Sequence, residues 1–165
     1  MLKYFSPLYL LQKFWKDILV AILVIVAVTT WMQRNMLETN SQARNFELRT
    51  LAGKSQNLLQ PSQKTLIYFF APWCGTCKLS MSNLEAVSSD IRTVAVALDY
   101  QHQTEVADFI ENIEVKVPVL LGNADIASTY KVSAYPSYYV IGANGKILDR
   151  SMGYSSLAGL LWRTR

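Results

Sequence analysis

Residues 65–78 read TLIYFFAPWCGTCK, and the fold turns on how this stretch is parsed. Thr65 to Ala71 is continuously apolar and β-prone, the pattern of a central strand buried on both faces. Pro72 ends it. From Gly75 a helix is expected, with Cys77, Met81, Leu84 and Ile91 spaced to face one side, ending near Asp90. The chain has only two cysteines, Cys74 and Cys77, and both fall where a buried strand gives way to a helix.

That placement decides what the pair can do. Cys74 stands at a helix N-terminus, where backbone N–H groups without intrahelical partners and the helix dipole favour an anion. A thiolate there has a lowered pKa and is the species that attacks disulfides. Cys77 comes a turn later, close enough to close a disulfide and facing the core. Other uses of the pair fit less well. A purely structural disulfide across so short a loop would contribute only about 2 kcal/mol. A zinc site needs about four ligands, and beyond the pair the chain offers one histidine, His102. Covalent haem attachment needs a histidine directly after the second cysteine, where this chain has Lys78. A Cu(I)-binding chaperone using the same two sulfurs is the alternative from another class, because soft thiolates suit that ion. Met81 and His102 are its candidate extra ligands, although Met81 reads first as core and His102 as a solvated loop residue. Asp99, Asp108 and Asp125 lack the convergence that acid–base catalysis requires. No metal and no cofactor is expected.

Outward from the motif, Phe46–Thr50 alternates apolar and polar, Ala52–Lys54 turns, and Asn57–Leu59 returns as a short strand. Downstream, Thr93–Leu98 is a second buried strand and Glu105–Asn112 a helix with Val106, Phe109 and Ile110 on one face. Val117–Leu121 reads as a strand and Asp125–Tyr130 as a short helix. Ser137–Ile141 and Lys146–Arg150 flank an Asn144–Gly145 turn as a hairpin, and Ser155–Trp162 closes as a helix. The order predicts an α/β domain, a mixed sheet with helices on both faces.

Of the 165 residues, 51% are hydrophobic and 17% charged, and the apolar excess lies in the first forty. The net charge of +4 comes from scattered basic residues, so no nucleic-acid partner is expected. Ile18–Met32 (ILVAILVIVAVTTWM) carries no charge, Gly or Pro. As a helix it spans roughly 22 Å, short of the ~30 Å hydrocarbon core, and its flanks make up the difference. Phe14, Trp15 and Trp31 suit the interface, and Lys16 and Arg34 can snorkel. Val28–Trp31 offers no small-residue cleavage site, so an uncleaved single-span anchor in membrane lipid is expected rather than a cleaved signal or a core helix. Lys3, Lys13 and Lys16 precede the span and Arg34 alone directly follows it, which favours a cytoplasmic N-terminus. The expected organisation is a cytoplasmic stub and anchor over residues 1–37, a polar linker over 38–45 and the α/β domain over 46–165, facing the periplasm or cell exterior from the inner membrane.

Ala134–Val140 reads AYPSYYV, a proline directly before a strand and some sixty residues after the cysteines. Trp-Cys-x-x-Cys-Lys after an apolar strand, Tyr-Pro-Ser before another strand and an Asn-Gly hairpin together resemble the thioredoxin superfamily, from Phe46 to about Trp162. The resemblance implies a thioredoxin-like protein-disulfide oxidoreductase whose redox-active disulfide is Cys74–Cys77. In it Cys74 attacks, Cys77 resolves, and Trp73, Tyr135 and Pro136 meet the substrate. It further implies a cis Tyr135–Pro136 bond against the disulfide, with backbone groups left free to pair with a substrate strand. Within the superfamily the chain is similar to the membrane-anchored, extracytoplasmic TlpA/ResA-like proteins and the thioredoxin-like proteins of copper-sensitivity suppression. Those share the anchor, a hairpin like Phe46–Leu58 and an extra helix and strand like Glu105–Leu121. The implied partners are protein thiols and disulfides and a membrane electron donor. Two positions depart from the pattern. Cytosolic thioredoxins carry a buried Asp six residues before the first cysteine, where this chain has Tyr68. Cytochrome-c-maturation members often carry a Glu three residues after the second, where it has Ser80. With no histidine in Gly75-Thr76 to stabilise the thiolate further, a reductant is expected rather than an oxidant.

Overall fold

The computed structural model describes residues 7–113 and 115–165. The chain divides into two compact units, with the boundary between Arg34 and Asn35. The first is a helix, α1 (Pro7–Gln33), begun by a proline whose missing N–H is harmless in a first turn. Its stretch Phe14–Gln33, 20 residues, is long and apolar enough to cross a membrane, rising about 30 Å. The aromatic flanks are therefore part of the helix. The Thr29 hydroxyl donates back to the carbonyls of Ile25 and Val26 at 2.8 and 3.0 Å, which pairs its proton within the helix. Lys3 and the side chain of Lys13, on which the charge asymmetry partly rests, lie outside the described residues.

The second unit is built on one seven-stranded sheet in the order β2-β1-β5-β4-β3-β6-β7. The strands are β1 (Glu47–Thr50), β2 (Ser55–Asn57), β3 (Thr65–Phe70), β4 (Arg92–Ala97), β5 (Val119–Leu121), β6 (Ser137–Ile141) and β7 (Ile147–Met152). The helices are α2 (Gly75–Met81), α3 (Asn83–Ser88), α4 (Gln103–Glu111), α5 (Ala124–Thr129) and α6 (Leu157–Thr164). β3 runs parallel to β4 and antiparallel to β6, and all its residues are buried. Alternate side chains of a strand point to opposite faces, so β3 feeds two cores. Leu66, Tyr68 and Phe70 join Cys77 and Met81 of α2, Leu84 of α3, Val106 of α4 and Leu160 of α6. Ile67 and Phe69 join Tyr139, Ile126 of α5 and Met36 on the other face.

Three details differ from the sequence expectation. The helix expected over Gly75–Asp90 is two, α2 and α3, separated at Ser82. The Ser80 hydroxyl donates to the Thr76 carbonyl at 3.0 Å, a back-bond that bends helices. The hairpin partner expected at Asn57–Leu59 is Ser55–Asn57, because Leu58 leaves the strand to become fully buried. Residues 38–45, read as a linker for their polarity, are laid along the domain edge. Asn40 N–H donates to the Ile147 carbonyl, Ile147 N–H to Ser41, and Ala43 N–H to Gly145, all within 2.8–3.0 Å. Just before them Met36 is buried, and the Arg150 guanidinium grips the carbonyls of Met36 and Leu37. The polarity of residues 38–45 did not betray this attachment, because the segment's own backbone groups, not its side chains, are what the domain holds.

Candidate active site

The site forms where β3 ends. Cys74 N–H donates to the Ala71 carbonyl at 3.0 Å, turning the chain so that Cys74 becomes the N-cap of α2 in an extended conformation. Cys74 and Cys77 are disulfide-bonded with their Cα atoms 5.2 Å apart, inside the range such a bond requires. Cys74 Sγ accepts the Cys77 N–H at 3.1 Å. Both residues are largely enclosed, but Cys74 retains 6% exposure and Cys77 none. Cys74 is therefore reached only through a narrow window, since the flanking Pro72–Trp73 turn and α4 stand around it.

The other expected site residues gather here. The β3–β6 register sets Phe69 opposite Ser137, which puts Pro136 level with the end of β3, beside the Cys74 turn. The Tyr135–Pro136 peptide is cis. The Tyr135 ring meets Trp73 edge-on at 5.7 Å. Trp73 is 65% exposed, and its indole N–H donates to the Asp99 carbonyl at 3.1 Å. Asp99 reaches it from a left-handed conformation, φ 52°. Burial, then the Asp99 carboxylate, raises the Tyr135 phenol above its ordinary pKa. Asp99 thus acts through its backbone and position, which a search for converging carboxylates does not find.

Two clefts flank the Trp73–Tyr135 pair. One, of about 430 Å³, runs between the Cys74 turn and α4 and is lined by Lys78, Glu105, Asp108 and Phe109 among others. The second, of about 470 Å³, lies beyond Tyr135, over Leu98–Tyr100 and the start of α5. Asp108, dismissed on sequence, borders the first, while Asp125 is exposed on α5. His102 is exposed directly before α4, where the Glu105 carboxylate accepts its backbone N–H at 3.0 Å. Met81 is fully buried in the core beneath the cysteines. Among the described residues no group of three or more His, Cys, Asp or Glu is placed to hold a metal.

The two departures from the family pattern meet in space. The Tyr68 and Ser80 hydroxyls lie 2.9 Å apart, and Tyr68 also donates to the Cys77 carbonyl at 3.1 Å. Burial, reinforced by Tyr138, pushes the Tyr68 phenol far above its ordinary pKa, so it stays neutral. No charged side chain is buried among the described residues.

A strand–turn–helix that presents one sulfur and hides its partner is what disulfide exchange needs: an accessible attacking atom and a second held for intramolecular closure. Comparison with known proteins agrees. Residues 38–158 match the Redoxin family model. The Bacillus subtilis thioredoxin-like protein YneN is 27% identical over 81% of this chain and 87% of its own length. The thiol-disulfide oxidoreductase ResA of Oceanobacillus iheyensis is 28% identical over 83% and 82%. The crystal structure of a putative thiol:disulfide interchange protein DsbE from Chlorobium tepidum shares the fold, with a TM-score of 0.70 at 22% identity over 77% of this chain and 95% of that one. The matched region holds both the Cys74–Cys77 turn and the strands that frame it, and on that ground the chain belongs to the Redoxin family, as a TlpA/ResA-like thiol–disulfide oxidoreductase of the thioredoxin superfamily.

Proposed function

We propose that this oxidoreductase is a membrane-held reductant of protein disulfides outside the cytoplasm, with Cys74 as the attacking sulfur and Cys77 as the resolving one. The observation that carries the reading is the asymmetry of the pair. Cys74 Sγ lies at the N-terminus of α2 and accepts a backbone N–H at 3.1 Å, and Cys74 is the residue of the pair with residual exposure. A hydrogen bond to the charged form lowers the pKa of a thiol and raises its thiolate fraction. Cys74 thiolate attacks a substrate disulfide and releases one substrate sulfur. Cys77 then bonds to Cys74 and releases the other, so the substrate gains the two electrons the pair loses. The exposed Trp73 and the neighbouring Tyr135 and Pro136 form the surface on which the substrate segment lies. Phe14–Gln33 holds the domain in the cytoplasmic membrane as a single span, and a membrane electron donor re-reduces the disulfide. The basic residues before the span favour a domain on the periplasmic or exterior side.

The test is trapping in carbonate-washed membranes from cells expressing the full-length chain. Cys77→Ser should accumulate mixed disulfides with other proteins, because attack proceeds and resolution cannot. Cys74→Ser should trap almost none. Trapping by Cys74→Ser alone would reverse the two roles, and recovery of the protein in the wash would remove the anchor. Silence from both, with Cu(I) retained only when both sulfurs are present, would favour the copper chaperone.

A further inference from the structure

Opening the disulfide removes the covalent tie between the two sulfurs. The turn of α2 that carries Cys77 must then hold its place by packing and hydrogen bonds alone. The polar contacts at that turn come from one buried set. The Tyr68 hydroxyl lies 3.1 Å from the Cys77 carbonyl, the Ser80 hydroxyl 3.0 Å from the Thr76 carbonyl, and the two hydroxyls 2.9 Å from each other, so their two protons are shared among these three contacts. Tyr68 and Ser80 are both fully buried. The Tyr68 ring cannot swing away: Tyr138 stands edge-on to it at 5.0 Å and Phe70 lies against it at 6.2 Å. Because Tyr68 belongs to β3, the best-buried strand of the sheet, its hydroxyl is a fixed point against which α2 is pinned.

We propose that Tyr68 is a positioning residue for Cys77: with Ser80 it clamps the first turn of α2 and so sets the rate at which the mixed disulfide is resolved. The proposal rests on the assignment of Cys74 as attacker and Cys77 as resolver. In resolution the Cys77–Cys74 bond forms, the Cys74–substrate bond breaks, the substrate sulfur leaves as a thiolate, and the Cys77 proton passes to solvent or to that thiolate. Displacement at sulfur depends on the approach of the attacking atom, and a small misplacement of a positioned group is costly in rate. The attack by Cys74 precedes this step and draws on its own contact, the Cys77 N–H. The clamp therefore bears chiefly on the second step, where the Cys77 sulfur itself must be aimed, and reaches the first only through the Cys77 N–H.

Stopped-flow mixing of the reduced full-length protein, in detergent, with an excess of an aromatic nitrobenzoate disulfide separates the steps. The first equivalent of coloured thiolate reports attack by Cys74 and the second reports closure by Cys77. Tyr68→Phe should leave the first phase within about twofold and slow the second about tenfold, the scale of one lost hydrogen bond. Ser80→Ala, which leaves Tyr68 its bond to the Cys77 carbonyl, should slow the second phase by a smaller factor. An unchanged second phase in Tyr68→Phe, or equal slowing of both phases, overturns the clamp. Should Tyr68→Phe fail to fold, an unchanged second phase in Ser80→Ala overturns it alone. Cys77→Ser must still release the first equivalent. Loss of that equivalent would mean that the attacker was misassigned, which is a failure of the underlying reading and not of the clamp.

Discussion

Among the described residues the Cys74 sulfur has one hydrogen-bond donor, the Cys77 N–H, together with the partial charge of a helix end. Gly75 and Thr76 between the sulfurs bring no charge. Strong oxidants of this class owe their high potential to a heavily stabilised reduced form. The Cys74–Cys77 couple should accordingly have a potential near thioredoxin's, about −270 mV, and not near the about −120 mV of a strong oxidant. Equilibration with a glutathione series measures it, and a value above roughly −170 mV would turn the protein into an oxidant. At this scale the sequence was informative about type and less so about surroundings. The pair, Trp73, Tyr135 and Pro136 were legible because their spacing is local or follows a known pattern. Asp99 and the Tyr68–Ser80 contact were not, since residues 26 and 12 positions apart meet only once the sheet is assembled.

Elements were legible where apolar periodicity is long, as in β3 and β4, and blurred where the backbone decides. The break at Ser82 and the edge attachment of residues 38–45 arise from hydrogen bonds that side-chain polarity does not announce. Gly122 is another such point. It follows β5, donates its N–H to the Ala97 carbonyl at 2.9 Å, and lies so close to β4 that an added Cβ would sit 2.6 Å from Leu98 Cδ2 and 2.8 Å from Val96 Cγ1. Both neighbours belong to the core on that face. Gly122→Ala should therefore lower stability by about 1–3 kcal/mol, the usual cost of overpacking. A urea midpoint equal to that of the parent would show that the two side chains can turn aside.

Among the described residues the titratable side chains buried in the domain are phenols. Burial raises the pKa values of Tyr68, Tyr130, Tyr138 and Tyr139, and a neighbouring phenol adds to the rise for the first three. A raised folded value means that folding favours the neutral phenol, so the stabilisation is complete below the unfolded value of about 10 and is lost as pH climbs through the folded values. Urea midpoints should hold from neutral pH up to about 9 and fall beyond about 10. An unchanged midpoint at about pH 10.5 would mean that these phenols ionise as freely folded as unfolded. The attachment of residues 36–43 has a mechanical meaning as well. Arg150 of β7 grips Met36 and Leu37, Tyr139 of β6 accepts the Leu37 N–H, and Ile147 of β7 is laced to Asn40 and Ser41. Any tug arriving along the chain from α1 is thus borne by the β6–β7 hairpin, spread over several bonds loaded together in shear. Cys74 and Cys77 make none of these bonds, so a pull on the tether must be passed on through β6 and β3 before it reaches the reactive turn.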